Sequence, residues 1–173
     1  MMPVSRSNPL QIEPYLYFNG RCEEALTFYQ QALGARTVAL NRFGDNPDVP
    51  APLGAASKIM HAELKIGDSR IMMNDAMMGG RGPKAIGGSP ASLWLYVEDC
   101  DSLFNRAITA GGQISQGGMG KMQDQFWGDR SGTFTDPHGY TWTIATHKED
   151  FTPEEMKKRS EEFMKQFAAQ GSR

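Results

Sequence analysis

Two cysteines in 173 residues are too few for a disulfide framework. Cys22 and Cys100 lie far apart, each at the start of an expected helix. Reduced, packed thiols in a cytosolic protein are the expectation, with a reactive nucleophile favoured by a helix N-terminus as the alternative. Long apolar runs are also missing. Nothing approaches the roughly 18 residues of a membrane span, and the opening MMPVSRSNPLQ has no apolar signal-peptide segment. Positive charge is scarce too: 18 Lys and Arg stand against 20 Asp and Glu, a net charge of −2. No basic stripe is interleaved with aromatics, so nothing supplies a nucleic-acid footprint. What remains is a globular chain, 39% hydrophobic and 22% charged, long enough for one sizeable core or two small modules sharing one.

The chain repeats itself. Residues 12–18, IEPYLYF, alternate as a strand, and a helix over 22–33 follows with Ala25, Leu26, Phe28, Tyr29, Ala32 and Leu33 on its apolar stripe, stopped by Gly34. Residues 92–97, SLWLYV, form a second such strand. Asp99 or Asp101 caps the helix that follows; Leu103, Phe104, Ala107 and Ile108 make its stripe, and Gly111 ends it. Further strands are expected at 36–43, 58–66 and 70–74 in the first copy, with a Pro-rich loop over 45–52, and at 113–116 plus a hairpin in the second. Both halves read β-α-β-β-β. Residues 77–90, with five glycines and two prolines, have linker composition. The division is therefore 1–76, 77–90, 91–147 and a helical tail over 148–173, all within one structural domain. In the tail, Thr152, Pro153 and Glu155 open a capped helix with Met156, Phe163, Met164 and Phe167 at helical spacing.

The densest chemistry lies in 124–147, DQFWGDRSGTFTDPHGYTWTIATH. Pro137 and Gly139 define a turn between two runs of β-formers, Thr133, Phe134 and Thr135 before it and residues 140–144 after it. Trp127, Asp129 and Arg130 read as one wall of a small-molecule pocket. Asp129 and Arg130 either hold an anionic group or pair with each other, and His138 in the turn is expected to be solvated. The glycine-rich stretch 117–121 fails as a phosphate loop, since Met122 stands where Ser or Thr is needed. The Met72, Met73, Met77 and Met78 cluster is read as adaptable packing.

The segments PYLYFNGRCEEALTFYQQALGA, IMHAELKIGDSRIMMNDA, FWGD and DPHGYTW together resemble the vicinal-oxygen-chelate superfamily of glyoxalase I, extradiol dioxygenases and bleomycin-resistance proteins, and within it the PhnB-like branch. The likeness spans about residues 12–147. It implies an α+β fold in which two β-α-β-β-β modules form a cupped mixed sheet holding a ligand or metal.

Strand alternation then assigns faces. Glu13, Tyr15, Tyr17, Ser92, Trp94 and Tyr96 point to the cup, as do Thr141 and Thr143, while Trp142 and Ile144 pack the other way. His61, Glu63 and Lys65 share a face opposite Ala62, Leu64 and Ile66. Metal-dependent members of the superfamily carry His, Glu or Gln near the start of each first strand and a Glu-like ligand in each last strand. The matching positions here are Glu13, Ser92, Met72 and Thr143, a poor set; any metal would fall to Glu13 and His61. His61 is also the candidate general base.

Two functions follow from the resemblance. The favoured one is metal-free binding of a small anionic or planar molecule by Glu13, Tyr15, His61, Trp94, Trp127, Asp129, Arg130 and Thr143, with Trp127 and Arg130 facing Glu13, Tyr15 and His61. The alternative is a divalent-metal glyoxalase- or dioxygenase-type enzyme. A homodimer is expected, with no nucleic acid, no membrane and no bound cofactor in the favoured reading.

Overall fold

The structure, a computed structural model, describes residues 11–48, 50–77 and 79–170. Most of the opening segment, Val49 of the Pro-rich loop, Met78 of the methionine cluster and the last three residues of the tail lie outside the described residues. The chain separates into two compact units, residues 1–30 with 34–81, and residues 31–33 with 82–173.

In the first unit, β1 (Tyr15–Phe18) leads to α1 (Cys22–Leu33), then β2 (Arg36–Arg42), β3 (Ile59–Ile66) and β4 (Ser69–Asp75), in sheet order β1-β4-β3-β2. The edge strand β1 runs parallel to its neighbour β4; the other pairs are antiparallel. Helix α1 has the expected limits, because Gly34 takes the left-handed conformation (φ 67°) that ends a helix and its N–H returns to Gln30. Alternation then does the packing: Leu16, Phe18, Ala62, Leu64, Ile71 and Met73 are buried with Ala25, Leu26, Tyr29 and Ala32. Each larger side chain among them contributes about 1.5–3 kcal/mol on burial. Asp75 locks helix to sheet by accepting from the N–H groups of Cys22 and Ile59.

The second unit begins with α2 (Pro83–Ile86), one helical turn within the stretch expected as linker. It is followed by β5 (Ser92–Tyr96), α3 (Cys100–Thr109), β6 (Gln113–Ile114), β7 (Gln123–Asp124), β8 (Asp129–Thr135), β9 (Thr141–His147) and α4 (Pro153–Gln170). The sheet order is β5-β9-β8-β6, with β7 also paired to β8. Asp99, not Asp101, caps α3 by accepting from Ser102 N–H. Cys100 N–H bonds Thr146 Oγ1, the counterpart of the Asp75 lock in the first unit. Both cysteines are buried and free, and burial pushes the Cys22 thiol pKa up, away from the reactive range.

The architecture is α+β, two mixed sheets each with a helix on one face, plus the C-terminal helix. Some limits differ from those expected. β1 starts at Tyr15, because Pro14 has no N–H to give a ladder, although its carbonyl accepts from Met72. The hairpin strands reach back to Asp129 and forward to His147. His138 is buried rather than solvated, because the turn folds in on Asp136, whose Oδ1 accepts from the N–H groups of His138 and Tyr140 and whose Oδ2 accepts from Trp142 Nε1. No helix among the described residues is long and apolar enough to cross a membrane.

Candidate functional site

The helix-free face of each sheet carries the chemistry, and the two registers correspond. In the parallel pair β1/β4, Tyr15 stands opposite Met72; in β5/β9, Trp94 stands opposite Thr143. Tyr15 therefore matches Trp94, and Tyr17 matches Tyr96. Across β3/β4 and β8/β9, Glu63 pairs with Met72 as Thr133 pairs with Thr143. The repeat keeps aromatics at its first strands and differs in what surrounds them.

In the first unit the surroundings are ionisable. Tyr15 stacks on Tyr17 with ring centroids 5.2 Å apart, and its Oη lies 3.1 Å from His61 Nδ1. His61 Nε2 is 3.3 Å from Glu63 Oε1, and Arg70 Nη1 donates to Glu63 Oε2 at 2.5 Å. Arg70 Nε is also 3.5 Å from Glu13 Oε1. Burial alone would raise the Glu63 pKa, but bonds from His61 and Arg70 outweigh it and hold the carboxyl below its usual range. An ionised Glu63 can only accept, so His61 Nε2–H donates to it, which leaves Nδ1 to accept from the Tyr15 hydroxyl. Both nitrogens of His61 are thus engaged within the sheet. Burial, with Tyr17 and Cys22 adding to it, raises the Tyr15 pKa. Glu13, Tyr15 and His61 are brought together around Glu63 and Arg70, two residues not among the ligand-binding candidates of the sequence.

In the second unit the surroundings are hydroxyls and one buried carboxylate. Thr143 Oγ1 is 2.9 Å from Thr133 Oγ1. Asp129, 4% exposed, accepts at Oδ2 from Tyr96 Oη (2.9 Å) and Trp127 Nε1 (2.9 Å), while its Oδ1 meets His147 Nδ1 at 2.8 Å. Burial opposes ionisation of Asp129, yet these donors bring its pKa below the usual value. The bond to Asp129 raises the His147 pKa, and Asp150, 3.2 Å from Nε2, adds to it. Trp94 and Trp127 sit 6.5 Å apart, centroid to centroid. Trp94, Trp127, Asp129 and Thr143 are therefore gathered on one face, and His147 joins them; the period-2 count from Thr143 was its signal.

Arg130 is elsewhere. Adjacent strand residues point to opposite faces, so Asp129 and Arg130 do not pair. Arg130 faces α3, where Nε and Nη2 bind Asp101 at 2.7 and 2.8 Å and Nη1 binds Asp124 at 3.1 Å. These bonds raise its own pKa and lower that of Asp101.

The donor set at the positions matched to metal ligands fits a divalent ion poorly. The Arg70 guanidinium already pairs with both Glu13 and Glu63, and Met72, Ser92 and Thr143 complete no oxygen or nitrogen shell. Among the described residues no group of three or more His, Cys, Asp and Glu side chains is placed to hold a metal.

The comparisons with known proteins agree with this architecture. A Pseudomonas aeruginosa protein of known structure is 32% identical, with 82% of this chain and 100% of that one covered and a TM-score of 0.64. At lower identity, where likeness shows the fold alone, a Bacillus cereus PhnB protein matches at 18% identity and TM-score 0.60, covering 79% of this chain and 99% of that one. A bleomycin-binding protein solved with bleomycin matches at 20% and 0.53, covering 81% and 100%. The chain spans 65% of a Mycobacterium tuberculosis protein to which it is 37% identical over 126 residues. The profile of the Glyoxalase/Bleomycin resistance protein/Dioxygenase superfamily matches residues 11–144, the span that holds both sheets except the last three residues of β9, and the chain belongs to that superfamily.

Proposed function

We propose that this protein binds a small planar molecule on the aromatic, helix-free faces of its sheets, without a catalytic metal. One observation carries the reading: the aromatic pairs Tyr15/Tyr17 and Trp94/Tyr96 occupy corresponding registers, so both copies of the repeat put flat rings where a ligand would lie. Trp94 and Tyr96 are 42% and 56% exposed, an unusual cost for side chains of that size unless they meet a partner. The fold suits such a role, since a protein of the same fold is solved with bleomycin bound. The anionic half of the expectation rested on Arg130, whose guanidinium is held by two carboxylates; the planar half rests on the rings.

The test is a thermal-shift and NMR screen of planar aromatic compounds against wild type, Tyr15→Ala and Trp94→Ala. A ligand present at about 100 times its Kd stabilises by about 2.7 kcal/mol, and that gain is expected to shrink in at least one variant. Ligands that stabilise all three proteins equally would place binding elsewhere. Metal analysis of the purified protein is the second arm. A stoichiometric divalent ion that is lost in Glu13→Ala would overturn the metal-free reading.

A further inference from the structure

We infer that the aromatic corner formed by Trp94, Tyr96 and Trp127 takes an organic cation, so that the planar ligand of this face carries positive charge. The inference rests on the binding role proposed above and adds the sign of the ligand.

Three observations carry it. No position of β5, β8 or β9 on the helix-free face is Lys or Arg, and Arg130, the fixed cation nearest in sequence, is turned to α3 and paired with Asp101 and Asp124. The acidic charge of the corner is Asp129, buried behind the rings. Its partner among positive groups is His147, a titratable imidazole also shared with the exposed Asp150. Finally, the Tyr96 hydroxyl and the Trp127 indole N–H both donate to the same oxygen, Asp129 Oδ2. A ring that donates a hydrogen bond to a carboxylate gains electron density, which strengthens the negative face that attracts a cation. A row of three exposed or half-exposed rings, with no Lys or Arg on the same face of their strands and a carboxylate behind them, suits an aromatic or quaternary ammonium ion. It opposes a carboxylate or phosphate, which would meet the π faces and Asp129 with like sign.

The experiment compares two probes of one shape, N-methylquinolinium and its uncharged isostere methylnaphthalene, by NMR titration of the Trp indole signals in the wild type and in His147→Gln, which leaves no imidazolium beside Asp129. The cation is expected to bind about tenfold more tightly than the isostere, the size of one or two cation–π contacts. Trp94→Leu is expected to abolish that preference. Tyr96→Phe, which keeps the ring and removes its bond to Asp129, is expected to narrow it. Equal binding of the two probes overturns the inference and leaves the planar-ligand reading standing. Failure of both probes and of the aromatic screen overturns both. A preference for the cation that survives in Trp94→Leu places the cation elsewhere and also overturns the inference.

Discussion

Single residues decide more here than their motifs imply. Asp136 sits in DPHGYTW, a segment that invites a catalytic reading, yet its carboxylate is used up by two turn N–H groups and the Trp142 indole. Asp136→Ala would strand these donors inside the protein, and a loss of about 3 kcal/mol or more in urea unfolding is expected. Asp136→Asn, which keeps an acceptor oxygen, should lose less. Arg130→Ala is expected to cost about 1 kcal/mol of stability and to leave planar-ligand affinity unchanged, because its partners Asp101 and Asp124 are largely solvated. A drop in affinity without a drop in stability would return Arg130 to the binding face. The Asp129 and His147 pair sets opposite pH dependences. The folded pKa of Asp129 lies below its unfolded value of about 3.9, so its contribution is present above that pH and is lost as pH falls through the folded value. The His147 pKa is raised, so its contribution is full below about 6.5 and is lost as pH rises through the folded value. Melting temperature against pH should therefore fall on both sides in wild type, and the alkaline fall should flatten in His147→Gln.

At the scale of elements, α4 is fastened at its start and along one stripe. Thr152 and Glu155 form a reciprocal cap, Thr152 N–H donating to Glu155 Oε2 and Glu155 N–H to Thr152 Oγ1. Further along, Phe163 packs on Phe126 at 5.1 Å and Arg159 lies over the Phe151 ring at 3.8 Å. Thr152→Ala is expected to weaken the helix by about 1 kcal/mol, read as faster amide exchange in its first turns with sheet amides unaffected. Uniform loss of protection across the second unit would show instead that α4 and the sheet open together. The loop before β8 has a stricter demand. Gly128 has φ +100°, and a Cβ there would stand 2.1 Å from the Glu149 carbonyl oxygen, while the Gly128 carbonyl receives the N–H groups of Lys148 and Glu149. The glycine of FWGD thus ties the start of β8 to the end of β9, and so places Trp127 and Asp129. Gly128→Ala should disturb the Trp127 indole signal even where the protein still folds.

At the scale of the whole molecule, the repeat is one backbone plan furnished twice. Corresponding registers hold His61, Glu63 and Arg70 in the first unit and Ser131, Thr133 and Thr141 in the second. We expect a homodimer, with α4 as a contributor because Met164 and Phe167 are more than half exposed on its surface. Sedimentation at micromolar concentration checks this, and truncation after Asp150 should weaken association; a monomer in both forms would remove the dimer. The sequence by itself determined the β-α-β-β-β order of the first unit and, apart from the two-residue β7, that of the second, together with the faces of Tyr15, Trp94 and Thr143, the end of α1 at Gly34 and the cap of α4. These depend on period-2 and period-3.6 patterning and on turn and cap chemistry within a few residues. Only the tertiary structure decided the fates of Arg130, Asp129 and His61. The weak β-formers of 129–132 hid the start of β8 and with it the face of Arg130. Its partner Asp101 lies 29 residues away on α3. Asp129 meets Tyr96 across 33 residues, and Tyr15 meets His61 across 46. Which donor satisfies a buried carboxylate or imidazole is a competition among all groups that the fold brings within about 3 Å, and that set exists only once the sheets have formed.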